Sequence, residues 1–440
     1  MMEQQNTERL TIEAIRAYID ADAEECARRK RMYEYYRGRH RIRDRTMDDP
    51  TKPNNRLENG YPALISNAYT GYVFGEPISY TGDEALLEQL SLTYNYNDEQ
   101  AENSVLGMDC SICGVGVEIL YMDADSEPRF ARVDPVGCID VRDGTLEDNM
   151  TALIRYYETQ DPVHRTSWRT VEVYDAVSLR TYRDDNGALT LVEETPHAFG
   201  DVPAVVYKNN TDSRGDFEGV ISLIDAYDLM QSESINDQEY FSDAYLMLKG
   251  LTGTEPEDVA EMKKNRVLLI PSDADAAWLI KQQNDTLVEN IKTRLNNDIH
   301  RFSGCPDMSD QNFAGNASGV AIRYKLLQFE NIAGVKEREF KRGLQRRIEL
   351  LCNIWRVLAR GSYDWRNVQI SFKRSLPQNL LEISQTLANL SDIVSDETKR
   401  TMLPIDIDEE TEKERLEAER EAGASLFGAQ FGELLTDGDE

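Results

Sequence analysis

SGVAIRYKLLQFENIAGVKEREFKRGLQRRIELLCNIWRVLA, residues 318–359, reads as one very long helix. If continuous, it spans on the order of 60 Å at about 1.5 Å per residue. Asn316 or Ser318 is the expected N-cap, its side-chain oxygen meeting free backbone N–H groups. Gly334 is the expected bend, because a mid-helix glycine loosens the turn. The later half carries a heptad-like seam, Leu344, Ile348, Leu351, Trp355 and Leu358, which needs a partner helix from this chain or a neighbour.

Toward the N-terminus, residues 305–317 form a short loop, preceded by a helix with the stripe Leu287, Ile291, Leu295, Ile299 and Phe302. Gly304 and Pro306 stop that helix. An earlier long helix, 216–245, carries Phe217, Val220, Ile221 and Ile224 on one face. Between the two helices, the apolar stretches 267–270 and 276–280 predict a small mixed insert. Two long helices around a small insert make a hairpin-like projection.

Residues 114–207 change to short alternating strands with turn residues every ten or so positions, a β-rich lobe. Within it, Val115, Val117, Ile119 and Tyr121 predict a half-buried strand. Residues 63–74 form an apolar helix ended by Gly75 and Pro77, and residues 7–36 form another, broken at Gly38. Beyond the long helix, 367–372 is strand-like. Two shorter helices then precede a charged segment, EETEKERLEAEREA, and the acidic end is expected to be disordered. The fold class is α+β.

The 440 residues allow two to four domains, and the chain carries 49 basic against 80 acidic residues, a formal net of −31. Such a balance argues against tight nucleic-acid binding, since phosphate affinity comes from Lys and Arg displacing counterions. It leaves open a surface past which DNA slides; solubility through self-repulsion is the simpler reading. The exception is residues 28–45, with Arg28, Arg29, Lys30, Arg31, Arg37, Arg39, Arg41, Arg43 and Arg45. Two roles compete for this patch: nucleic-acid contact, or salt links to an acidic neighbouring subunit, which is favoured. No run of 18 apolar residues exists, so no membrane helix is expected. The opening MMEQQNTERL lacks a secretory layout, which predicts an intracellular protein.

Chemistry is sparse. The six cysteines have no framework spacing, and Cys110 and Cys113 lack a second pair for zinc, so both are read as small buried hydrophobes. The four histidines are scattered; His300 reads as a surface helix residue. No Gly-Lys dipeptide occurs, which removes a P-loop. Asp307 and Asp310 with Asp273 and Asp275 could be imagined as a two-metal nuclease centre, but they lie on flexible segments and read as solvated loop. No catalytic residue, cofactor or metal is expected.

Four collinear stretches resemble the SPP1-like portal proteins of tailed bacteriophages. They are KPNNRLENGYPALISNAYTGYVFGEPISY (52–80), HAFGDVPAVVYKNN (197–210), GDFEGVISLIDAYDLMQSESINDQEYFSDAYLMLKG (215–250) and PDMSDQNFAGNASGVAIRYKLLQFENIAGVKEREFKRGLQRRIELL (306–351). The resemblance runs over roughly residues 50–410 and no single piece is diagnostic. It implies a homo-oligomer of twelve subunits at one capsid vertex, a ring through which double-stranded DNA enters during packaging and leaves during ejection. It implies a β-rich wing at 51–215 after an N-terminal helix and basic segment at 1–50. Stem helices follow at 216–245 and 284–304, around a clip at 246–283. A tunnel loop at 305–317 leads into a long tunnel and wing helix with its strand at 318–372. A crown at 373–422 precedes the acidic tail at 423–440.

From Phe302 to Ile322 there is no Lys or Arg, so a loop here could brush DNA without binding it. Asp307, Asp310, Asn312 and Phe313 are the expected channel-lining residues. The implied partners are the terminase large subunit, docking on the clip, a head-completion or adaptor protein, and the scaffolding and major capsid proteins, with no membrane. The implied location is the virion, after assembly in the host cytoplasm. The competing readings are a metal-dependent DNA-processing enzyme and a non-viral oligomeric scaffold.

Overall fold

The computed structural model describes residues 9–50, 52–185, 187–241, 245–249, 275–279, 285–308, 324–374 and 380–390, with single positions at 255, 257, 393–395, 399, 415 and 418. Its contacts divide the chain into Met1–Ser375 and Leu376–Glu440. In the second unit one helix is described, α9 (Leu380–Asn389).

In the first unit the N-terminal helix is two helices, α1 (Ile12–Ala21) and α2 (Ala23–Tyr36), parted at Asp22. The break lets each half bury a different face. Ile15 and Ile19 of α1 pack on a sheet, while Met32, Tyr33 and Tyr35 of α2 join a helical core. Asp22 also accepts a hydrogen bond from the Tyr156 hydroxyl at 2.9 Å. Helix α3 (Tyr61–Phe74) follows the expected pattern. Two further helices come before the lobe, α4 (Glu84–Asn97), capped by Asp83, and α5 (Glu99–Cys113).

The β-rich lobe holds two antiparallel sheets. Strands β4 (Cys138–Arg142), β5 (Met150–Gln160), β6 (Ser167–Tyr174), β7 (Ser178–Asp185) and β8 (Ala188–Pro196) form a five-stranded meander. Strand β2 (Val115–Met122) lies between β3 (Pro128–Val133) and β9 (Ala204–Lys208). Period-two alternation covers both faces of β5: Ala152 and Ile154 pack toward α1, and Leu153 toward the three-stranded sheet. Strand β2 corrects the half-buried expectation, since its first six residues are all buried. Glu118 is tolerated there because Arg347 meets it.

A 3₁₀ turn at Glu218–Val220 leads into α6 (Ile221–Phe241), and Phe217, Val220, Ile221 and Ile224 are all buried. Helix α7 (Asp285–Ser303) packs along α6. Of its stripe, Ile299 is buried, whereas Leu287, Ile291 and Phe302 are exposed. Between the two helices, β10 (Tyr245–Lys249) pairs antiparallel with β11 (Asp275–Leu279). The expected stretch 267–270 lies outside the described residues.

The long helix α8 runs Leu327–Val357, about 46 Å at 1.5 Å per residue. It passes Gly334 without a break; the interruption is the turn at Leu326. The caps expected at Asn316 and Ser318 lie outside the described residues. Of the seam, Leu344, Ile348, Leu351 and Trp355 are fully buried and Leu358 is half-buried, and its partners include Tyr207 of β9 with Leu106 and Cys110 of α5. It is thus met within the chain, by a strand as well as a helix. Gly343 allows this approach: a Cβ there would fall 2.3 Å from the Tyr207 ring. The strand-like 367–372 is β12 (Gln369–Ser371), paired with β1 (Ser79–Thr81).

Candidate functional site

Of the four expected channel-lining residues, Asp307 is among the described residues; Asp310, Asn312 and Phe313 lie outside them. What the structure builds is the root of that loop. At its first end Gly304 takes φ +69°, and a Cβ there would meet Ile332 at 2.4 Å. The next residue, Cys305, is buried, and burial pushes its thiol up to about 12. His300 Nδ1 donates to the Cys305 carbonyl at 3.0 Å, and the Tyr69 hydroxyl donates to the Ser303 carbonyl at 2.9 Å. His300 is half-buried on its helix and acts as a tether. Asn296 reaches Asp307 at 3.4 Å and itself accepts from Tyr61 at 2.6 Å. Burial, then the neighbouring Tyr227, pushes the Tyr61 phenol up.

At the far end, Phe329 is held between Tyr69 and Tyr72, with ring centroids 4.4 and 4.7 Å away. Gln328 donates to the Arg301 carbonyl at 3.2 Å, joining the two ends. About two turns further, Lys336 is 5% exposed and pairs with Asp216 at 2.6 Å. Asp216 also accepts from Ser111 and Asn209, so the buried carboxylate is fully used. Such a lysine is invisible to pattern reading, which counts it as the polar side of a helix.

The basic segment answers to neither expected role in full. Arg28 bonds Glu218, Glu25 and the Cys113 carbonyl; Arg29 bonds the Pro135 and Cys138 carbonyls; Arg43 pairs with Glu58; and Arg45 pairs with Glu233. These cations hold their own chain together. At their centre is His40, 2% exposed, with Nδ1 at 2.6 Å from Asp228 and Nε2 at 3.1 Å from the Tyr35 carbonyl. A carbonyl only accepts, so both ring nitrogens donate when Asp228 is a carboxylate, which favours the imidazolium. Burial works against the charged ring most strongly, but the bond to Asp228, its charge, the Tyr35 carbonyl and Glu58 together outweigh it, and the His40 value is raised. A raised histidine contributes stability that is complete below its ordinary value near 6.5 and is lost as pH climbs through the folded-state value. His40→Gln is expected to cost about 1–2 kcal/mol at pH 6. It should also flatten the fall in Tm between pH 6 and pH 9; an unchanged slope would discard this role.

Cys110 and Cys113 are buried on the last turn of α5, and burial pushes Cys113 up to about 11. Among the described residues no group of three His, Cys, Asp or Glu could hold a metal. Asp273 and Asp310 of the imagined nuclease centre lie outside them. No helix among the described residues is long and apolar enough to cross a membrane.

The profile of phage portal proteins of the SPP1 Gp6-like type matches residues 15–425. This chain belongs to that family. A portal protein of Bacillus phage SPP1 is 25% identical over 406 residues, spanning 86% of this chain and 79% of that protein. One from Clostridium phage phiCD119 is 23% identical over 408 residues, spanning 85% and 88% respectively. Portal proteins are structural components of phage capsids, not enzymes, in keeping with the expectation from the sequence. The matched region includes α2 and its basic segment, which the motif resemblance had left out.

Proposed function

We propose that twelve copies of this chain close into a ring at one capsid vertex and conduct double-stranded DNA inward during packaging and outward during ejection. The observation that carries the reading is the family match across residues 15–425. The layout supports it: helices α6 and α7 pack together, and the antiparallel pair β10–β11 comes between them in the chain. In this reading the two sheets are the wing, α6 and α7 the stem, and the insert 246–283 the clip. The terminase large subunit and later an adaptor protein dock on the clip. The chain after 373 forms the crown, with scaffolding and major capsid proteins around the ring during assembly in the host cytoplasm. A heterologous interface that closes by rotation produces such a ring.

Native mass spectrometry and negative-stain images of the purified chain test this. A closed ring of about twelve copies with a hole wide enough for B-form DNA is expected. A population of monomers and dimers at every concentration would overturn it. The loop carries acid and no base from Phe302 to Ile322, so the duplex passes with little drag. Asp307→Lys with Asp310→Lys adds phosphate attraction there and is expected to slow packaging several-fold, with ring assembly intact. A normal packaging rate in vitro would refute the channel-lining role.

A further inference from the structure

The cations between residues 28 and 45 fall into two sets. The first set, Arg28, Arg29, Arg43 and Arg45, is consumed by the chain's own carboxylates and carbonyls. The second set is Lys30, Arg31, Arg37, Arg39 and Arg41, all exposed. Arg31 and Arg37 rest over the rings of Tyr35 and Tyr33, each at 5.5 Å. Lys30, Arg39 and Arg41 form no ion pair within the described residues. In a chain with 80 acidic side chains, exposed cations left without a carboxylate need an external reason.

Lys30, Arg37 and Arg39 border a groove of about 490 Å³ between α2 and the five-stranded sheet, lined also by Tyr33, Tyr156 and Tyr157. The three phenol hydroxyls are already bonded to Asp109, Asp22 and Glu172. The tyrosines therefore offer ring surface more than hydrogen bonds, the kind of floor found under protein contacts.

We infer that this cation-rimmed groove receives a carboxylate-bearing face of a second copy of this chain. The inference rests on the ring reading above and names one of its contacts. Copies of net charge −31 repel each other wherever their ordinary surfaces meet. Closure requires matched charge across the seam, and these cations supply the positive half. A phosphate backbone fits the groove less well, because Glu34, Asp134 and Glu158 share its lining while Arg155 and Arg169, also in it, are paired with Glu172 and Asp184. Those carboxylates would repel a polyanion along its length, whereas a folded protein face of mixed charge can meet them.

The test is the full-length variant Lys30→Glu/Arg37→Glu/Arg39→Glu, the three cations at the groove, none of which makes a described internal ion pair. Ring closure is followed by native mass spectrometry against protein concentration, with circular dichroism and Tm confirming that the chain folds. The variant is expected to need about ten-fold more protein, or greater, to close the ring, and high salt should weaken the wild type in the same direction. Carbodiimide coupling of rings mixed from light and ¹⁵N-labelled copies should join Lys30 of one copy to an Asp or Glu of another. Rings of the variant that close at wild-type concentration would overturn the inference and leave the ring reading standing. So would intact variant rings that have only lost DNA binding, which would assign the groove to nucleic acid. A wild type that never closes a ring would remove both.

Discussion

Replacing Arg347 by Met is expected to cost about 3–5 kcal/mol of folding stability, one of the two largest losses anticipated for a single side chain here. Arg347 has no exposed surface and lies between Glu118, also fully buried, and Glu99. Its guanidinium makes two bonds to Glu118, at 2.6 and 2.9 Å, and rests 4.4 Å over the Phe130 ring. The Tyr207 hydroxyl donates to Glu118 at 3.0 Å and the Tyr80 hydroxyl donates to Glu99 at 2.5 Å. Burial already pushes the Glu99 carboxyl up, against the pull of Arg347. Without the guanidinium two carboxylates stay in the core with only neutral donors. Urea unfolding at fixed protein concentration reads the effect. Adding Glu118→Gln to Arg347→Met should recover a good part of the loss, because the cost lies in the stranded charge more than in the missing pair. A single variant as stable as the wild type would show that the network contributes nothing.

Gly114→Ala is the second. Gly114 joins α5 to β2 at φ +93°, and a Cβ there would fall 1.9 Å from the Ser213 carbonyl oxygen. The obstacle is backbone, which no rotamer change can clear. Asn209 donates to the Gly114 carbonyl at 2.9 Å, and Arg28 binds the carbonyls of Cys113 and Ser213, so the whole crossing would have to shift. Strain at a left-handed residue and overpacking each cost about 1–3 kcal/mol, so a loss of about 3 kcal/mol or more is expected. Gly38→Ala is the control: its φ is +73°, but no atom lies within 4 Å of the added carbon. That variant should lose about 1 kcal/mol, the conformational share alone. Equal shifts in Tm for the two would remove the steric argument.

The contrast between these sites explains what the amino-acid pattern could reveal. Helices α3 and α7 and the β-rich lobe were legible because apolar spacing and Gly or Pro stops coincide there; α6 was legible by spacing alone, and Tyr245, expected as its end, belongs to β10. Helix α5 was not, because Glu99, Asn103, Asp109 and Ser111 are buried in it and break the expected apolar stripe. Strand β2 misled for the same reason, with Glu118 posing as a solvent-facing residue. A buried charge is readable only once its partner is known, and Arg347 lies 229 positions from Glu118. Gly334 misled differently: local propensity favours a bend, but Ala333, Lys336 and Phe340 are packed and hold the helix through it. The channel-lining residues came from a family resemblance and an absence of basic residues, and one of the four, Asp307, is anchored among the described residues.

The aromatic clasp around Phe329 has a mechanical corollary. Tyr69 grips the segment leaving α7 through the Ser303 carbonyl and, with Tyr72, the segment entering α8 through Phe329. A tug on either end of the intervening segment is therefore delivered to the same turn of α3. Force entering there spreads sideways into a packed bundle instead of peeling one helix from its end.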